Sequence, residues 1–338
     1  MEKKTSVSVI DVARAANVSV ATVSRSFNNP EVVKPEVRER ILEIALNMGY
    51  TANSAAKALR SKKTKVIGAI IPTLDHSIYA TMINAFQNKL SEQGYVVYVL
   101  SCGFDASNIF EKVTLLLERG AEALLIVGEI LDKNLENYLQ KFKIPTVCTY
   151  SYHHESKFPF IGFDNYASTT TITDYLYSLG HRNITMICGP LKGNDRQIAR
   201  VDSFKNYMTK MQANHSVVEC KDHYNIAFGR ESIKKIVQET PEVTAIICNS
   251  DVIAFGVLAG AKEIGISIPD QINVIGYDNL EFAEYLTPPL TTLNIPAEEM
   301  GVLSAQTILS NLNDQQPLQS FLLETDLIIR GSTSIEPK

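Results

Sequence analysis

From Lys65 onward, short apolar runs alternate with stretches of helical period, and few folds accommodate that alternation. Val66–Ile71, Val96–Leu100, Ala123–Val127 and Pro145–Thr149 read as strands. The pattern restarts with Ile184–Cys188, Val243–Cys248 and Asn273–Gly276. Strands separated by helices pair in parallel beneath a helical cover. About ten strands are expected, enough for two open, doubly wound sheets of similar size. The change of sheet is expected near Phe163, Pro288–Pro296 leads back, and the strand-like run Phe321–Ile329 crosses again. The expected core is therefore α/β with two lobes, 65–163 plus 293–322 and 164–292 plus 323–338.

Residues 1–52 read differently, as an all-α head. Val12, Ala15 and Ala16 recur at helical spacing, the pattern breaks at Asn17-Val18, and it restarts with Val20, Val23 and Phe27. Ser8 stands three residues before Asp11, a capping box that fixes a helix start, and Ser19 precedes the second helix. Two short helices joined by about three residues make a helix-turn-helix, whose second helix fits a DNA major groove. Candidate DNA-reading residues on and around it are Ser19, Val20, Ala21, Thr22, Ser24, Arg25 and Asn28. Arg25 is the base-reading candidate, beside small side chains that permit close approach. Phe27–Pro30 reads as a turn, and a third helix starts at Pro35 and ends at Gly49. Asn53–Arg60, at the start of a linker at 53–64, reads either as a short helix capped by Asn53, too short to be stable alone, or as a flexible basic linker.

Charge agrees with this division. Residues 1–63 hold eleven Lys/Arg against six acids, a net +5, which leaves −10 for the rest of a chain whose total is −5. A basic head on an acidic body keeps phosphate affinity where it is useful. No apolar run reaches the ~18 residues of a membrane span. The start Met-Glu-Lys-Lys lacks a signal-like apolar stretch, so a cytoplasmic protein without a membrane partner is expected. The five scattered cysteines, with no C-x-x-C, read as buried free thiols.

Catalytic signatures are missing: there is no G-x-S-x-G elbow, phosphate loop or G-x-G-x-x-G fingerprint. His153-His154-Glu155 reads as a solvated loop rather than a metal site. No enzyme, cofactor or metal is expected. A cleft between the sheets, with ligand at the carboxyl ends of strands, is the alternative. Polar and aromatic candidates fall at such ends: His76 and Tyr79, Arg200, Tyr224, Asp251 and Asp278. Arg200 and Asp278 either bind ligand or pair with each other, Asp251 either binds ligand or caps a helix, and Tyr79 and Tyr224 either stack on ligand or pack.

The wording Val9-Ile-Asp-Val-Ala-Arg-Ala-Ala-Asn-Val-Ser-Val-Ala-Thr-Val-Ser-Arg-Ser-Phe-Asn-Asn29 resembles the opening of the lactose/galactose repressor (LacI/GalR) family of bacterial transcription regulators. The likeness continues through Val33-Lys-Pro-Glu-Val-Arg-Glu-Arg-Ile41, Met48-Gly-Tyr50 and Asn53–Arg60. In the core it rests on Ser178–Ile184, Cys188–Leu191, Asn249–Gly256, Ile275–Asn279 and Pro288–Thr292. The chain departs from the family at Lys34, where a Ser or Thr cap is usual, at Tyr166-Ala167-Ser168, where a Gly pair is usual, and at Ile295, often Gln. The resemblance implies a core like periplasmic sugar-binding proteins and a homodimeric regulator, most often a repressor, of double-stranded operator DNA. It implies that Arg200 and Asp278 bind effector, with a sugar or sugar phosphate favoured and a nucleoside or purine as alternative. It further implies that Asn53, Ala56 and Leu59 enter the minor groove as paired hinge helices, Leu59 as the wedge.

Overall fold

The computed structural model describes residues 7–51 and 63–334, in two compact units divided between Thr64 and Lys65. In the first unit, α1 (Val9–Ala15) starts as its sequence requires. The Ser8 hydroxyl accepts the Asp11 N–H, and the Asp11 carboxylate accepts the Ser8 N–H in return. Asn17 then takes a left-handed φ of +51°, which Asn tolerates better than most residues, and turns the chain. α2 (Val20–Asn28) begins behind Ser19, whose hydroxyl accepts the Thr22 N–H at 3.1 Å.

The turn expected at Phe27–Pro30 is displaced. Phe27 and Asn28 stay helical, and Asn29 leads into one 3-10 turn at Pro30–Val32. Local bonding explains the extension: the Asn28 amide donates back to the Ser24 carbonyl at 2.8 Å, and Phe27 meets Tyr50 edge-on at 5.7 Å. α3 (Pro35–Asn47) has Pro at its first turn, no side-chain cap from Lys34, and Gly49 at φ +68° beyond its end. Val12, Ala13, Ala16, Val23, Ile41 and Ala45 form the head's own core. Arg40 and Arg38 fasten α3 by donating to the Ala16 and Ser26 carbonyls. Val20, counted with the apolar face in the sequence, is 42% exposed instead. The hinge candidates Asn53, Ala56 and Leu59 lie outside the described residues.

The second unit contains two six-stranded sheets. Sheet one holds β1 (Val66–Ile71), β2 (Val96–Ser101), β3 (Ala121–Val127), β4 (Thr146–Thr149), β5 (Phe160–Gly162) and β11 (Phe321–Leu322), ordered β11-β5-β4-β3-β1-β2. Its pairings are all parallel. Alternate residues of its strands face opposite helical layers, as a period of two demands. Ile67, Ala69, Leu125 and Val147 join Met82 and Phe86 of α4 (Ser77–Ser91). Ile70, Leu124, Ile126 and Cys148 instead join α5 (Ile109–Glu118) and α6 (Lys133–Lys141).

Sheet two has the order β12-β10-β9-β8-β6-β7. Its strands are β6 (Asn183–Cys188), β7 (Asn214–Glu219), β8 (Ala245–Cys248), β9 (Asn273–Asp278), β10 (Thr291–Asn294) and β12 (Asp326–Ile328). Only the β10–β12 pairing is antiparallel among the described strands. Between the strands run α7 (Asn165–Ser178), α8 (Asp195–Lys210), α9 (Ile226–Glu239) and α10 (Asp251–Glu263). Gly229, Gly256 and Gly260 let α9 and α10 touch backbone to backbone; a Cβ on Gly256 would sit 2.0 Å from the Ile226 carbonyl.

Three crossings join the lobes. The first follows Phe163. The second was expected after Thr292, but β10 runs on to Asn294, which pairs with Asp278, so the chain leaves sheet two only at Ile295-Pro296 before α11 (Ala297–Asp314). The run Phe321–Ile329 is two short strands, not one. Leu323 still donates to Gly162 of sheet one at 2.7 Å, and β12 then joins sheet two. Tyr166-Ala167-Ser168, in place of the usual Gly pair, contributes here: Ser168 Oγ bonds both the Asp164 carbonyl and Thr325.

Candidate DNA interface and ligand cleft

On α2, Ser19, Val20, Ala21 and Arg25 are exposed, while Thr22, Ser24 and Asn28 are half-buried. Thr22 is engaged with the cap and Asn28 with Ser24, so Val20, Ala21 and Arg25 form the outward face. A long cation flanked by small side chains on an exposed helix is the arrangement that reads base edges.

The second candidate site lies between the lobes of the second unit. β1 ends into Pro72–His76, and α4 carries Ile78 and Tyr79 to the gap. Phe104 and Tyr150 follow β2 and β4 on the same side. From the other lobe come Asn194, Arg196, Gln197 and Arg200 at the start of α8, with Tyr224, Asn249 and Asp278. Together these residues enclose a cavity of about 20 Å³. A larger depression, about 720 Å³, shares Ile78 and Asp278 but opens toward α11 and residues 279–282. The small cavity is the better candidate, because buried charges and aromatic rings converge there.

Arg196 and Arg200 are four residues apart on one face of α8 and only 6% and 5% exposed. Arg200 donates to Asn165 Oδ1 at 2.8 Å and to the Asn249 carbonyl at 3.1 Å, with its guanidinium 3.6 Å from the Tyr277 ring centre. Arg200 and Asp278 therefore do not pair directly. The Asp278 carboxylate accepts the Ser250 hydroxyl at 2.9 Å, and its backbone sits at φ +118°. Such a non-glycine conformation costs about 1–3 kcal/mol and persists where the surroundings dictate it. Burial raises the Asp278 pKa to about 7, against the pull of Arg200 and Ser250.

Asp251 is not brought to the cleft. Ser250 caps α10, and the Asp251 carboxylate accepts the Leu280 N–H at 2.7 Å and the Thr292 hydroxyl at 2.6 Å. It pins the strand ends behind the site, and Gly276 has no side chain because a Cβ would lie 2.0 Å from Asp251 Oδ1. Burial, with Asp278 adding to it, raises the Asp251 pKa to about 8. Both carboxyls thus hold protons more tightly folded than unfolded, so the stability they contribute is greatest in acid and is lost as pH rises to about 8. Melting temperatures between about pH 5 and 8 should fall less steeply in Asp251→Asn than in the parent. Parallel curves would contradict this coupling.

His76 stands behind the cavity wall rather than in it. It is 5% exposed, with its ring 4.6 Å from Tyr224 and 5.8 Å from both Phe104 and His223. Burial and then His223 lower its pKa. Since residues 223 and 224 belong to the second lobe, this aromatic cluster bridges the rim. A second bridge is made by Asp195. Its carboxylate takes the Ser151 hydroxyl and Arg196 Nη1 at 2.9 Å, with His153 Nε2 at 3.9 Å. Burial opposes the charge, yet Arg196, His153 and Ser151 hold Asp195 well below the usual carboxylate range. Arg196 also lies over Gly128, whose φ is +90° and whose Cβ would fall 1.8 Å from Nη1.

The structure therefore brings Tyr79, Arg200, Tyr224 and Asp278 together, puts His76 beside them and leaves Asp251 out. It adds Arg196, Gln197, Asn249, Phe104 and Tyr150, which sequence reasoning missed. The i,i+4 spacing of Arg196 and Arg200, behind the helix cap Asn194, was the available signal.

Residues 8–53 match the family described as bacterial regulatory proteins, lacI family, and residues 173–333 match the periplasmic binding protein-like domain. The chain is 26% identical to the HTH-type transcriptional repressor CytR of Escherichia coli (strain K12), over 99% of both chains. It is 28% identical to the ribose operon repressor of Haemophilus influenzae, over 95% of this chain and 97% of that one. In structure it is similar to a LacI-family regulator from Silicibacter pomeroyi, with a TM-score of 0.89, 22% identity, and 98% and 99% of the two chains covered. Among the described residues no helix is long and apolar enough to cross a membrane. With a capped helix-turn-helix before a two-lobed core and similarity along its whole length, the chain belongs to the LacI/GalR family of bacterial transcription regulators.

Proposed function

We propose that this protein is a homodimeric repressor whose operator affinity is set by a sugar or sugar derivative held between the lobes. The observation that carries the reading is the interlobe cavity, where two buried arginines, Asn249, Asp278 and four aromatic rings meet. Guanidinium forks and a carboxylate suit the mixed donors and acceptors of sugar hydroxyls, and tyrosine rings suit a sugar's apolar face. In this reading Tyr79, Arg200, Tyr224 and Asp278 contact the effector, with His76 supporting the wall. Residues 1–52 are the head and 53–64 the hinge, with Asn53, Ala56 and Leu59 at the minor groove. Ser19, Val20, Ala21, Thr22, Ser24, Arg25 and Asn28 form the major-groove surface.

Selection of bound duplexes from random sequence tests the DNA side. A two-fold dimer should recover inverted half-sites. Arg25→Ala should lose about 1–3 kcal/mol on the selected site and much less on random DNA. Recovery of single half-sites would remove the dimer, and an unchanged ratio of selected to random binding would remove Arg25 as a base reader.

A further inference from the structure

Two amides in the cleft are held in one orientation by the backbone. The Gly189 N–H donates to Gln197 Oε1 at 3.2 Å, which fixes that atom as an acceptor. Asn249 Nδ2 donates to the same oxygen at 3.0 Å, which fixes the second amide in turn. Turning the Asn249 amide over would set its oxygen against Gln197 Oε1, two acceptors with no proton between them. Asn249 Oδ1 is thereby left as an acceptor, buried and without a hydrogen-bond partner among the described residues. Asn249 is 1% exposed and Gln197 4%, and both line the interlobe cavity.

A buried carbonyl left unpaired is costly, and such groups mark functional positions. Here the cost is placed beside a donor, because Arg200 Nη1 bonds the Asn249 backbone carbonyl at 3.1 Å. The guanidinium and the orphan amide oxygen thus belong to two bonded residues that both line the cavity. We infer that Asn249 is a specificity-determining residue that accepts a hydrogen bond from the effector, so that the effector presents a hydroxyl or N–H at this point. A sugar hydroxyl meets both neighbours, accepting from Arg200 and donating to Asn249. An ionised carboxylate or phosphate has no proton to give there. Gln197 acts through Asn249, as a positioning residue. This inference rests on the reading of the cleft as the effector site.

Titration calorimetry on the full chain tests it, with D-ribose, D-glucose and D-galactose and the monodeoxy form of each at every hydroxyl. For the sugar that binds, removing one particular hydroxyl should weaken binding about tenfold to a hundredfold. In Asn249→Ala the parent sugar should bind more weakly, and deleting that hydroxyl should cost nothing further. Gln197→Leu, which frees the amide to turn, should shrink the same penalty without abolishing it. Should the alanine variant fail to fold, Asn249→Ser repeats the cycle. Every deoxy penalty persisting unchanged in the Asn249 variant would overturn the inference and leave the cleft as a sugar site. Failure of all three sugars to bind the parent chain would overturn the sugar reading itself, and this inference with it.

Discussion

Arg200→Ala should cost the cleft roughly a hundredfold or more in ligand affinity, the scale of a central buried arginine at an interface. The side chain acts in two directions. Toward the protein it ties α7 to β8 through Asn165 and the Asn249 carbonyl, stacked on Tyr277. Toward the cavity, which it helps to line, it presents the guanidinium that in the proposed reading meets the effector. Truncation leaves Asn165 Oδ1 with only the long 3.4 Å contact from the Tyr277 hydroxyl. Some loss of stability is therefore expected, and affinity should be measured on variant whose melting is still cooperative. Arg200→Lys keeps the charge but not the planar fork, and should recover little of the binding. Full affinity in Arg200→Lys would mean that charge alone is used there.

Gly193→Ala should prevent the lobes from reaching the separation seen here. Gly193 precedes α8, has φ +67°, and its Cβ would stand 2.4 Å from the Asp105 carbonyl oxygen of the other lobe. That neighbour is backbone, so it cannot turn aside as a flexible side chain would. Gly265 is an internal control: its φ is +74°, and nothing lies within 4 Å of its Cβ position. Both substitutions incur the left-handed penalty of about 1–2 kcal/mol, but only Gly193→Ala adds a clash worth about 1–3 kcal/mol. At this separation the cavity holds about 20 Å³, room for about one water, so a sugar needs the lobes further apart. Disfavouring the closed state should therefore raise sugar affinity, by up to roughly 5- to 150-fold in Gly193→Ala relative to Gly265→Ala, the same energy as a ratio. X-ray scattering without sugar should show a more open core in the first variant alone. Equal affinities in the two would mean that ligand binding does not depend on this separation.

The elements were more legible in the sequence than the site. Alternating apolar runs placed β1 to β4, β6, β8 and β9, though not the short or polar β5, β7 and β10, and Ser8 with Asp11 placed the start of α1, because both signals are local. Phe321–Ile329 shows where locality ends. Its composition says extended, yet two residues join one sheet and three the other, and only tertiary pairing decides which. Asp251 and Asp278 both follow strands of sheet two, but one carboxylate turns inward to Thr292 and Leu280 while the other reaches the cavity. Position at a strand end does not distinguish a clamp from a ligand contact. Asp195, Arg196 and Gln197 look in sequence like the solvated first turn of a helix. Asp195 and Arg196 are covered by Gly128 and Ser151 of the facing lobe, and Gln197 is held by Gly189 and Asn249 of its own, contacts no local pattern reports.

Cleft and head should be coupled, and fluorescence anisotropy of a labelled operator duplex reads that coupling. The full chain is titrated onto the duplex with and without a saturating concentration of the sugar that binds in calorimetry. Operator affinity should change by roughly 5- to 150-fold, and sugar affinity should change by the same factor when operator is saturating, as linkage between two binding sites requires. Operator affinity that stays constant while the cleft fills with sugar would mean that head and cleft act independently.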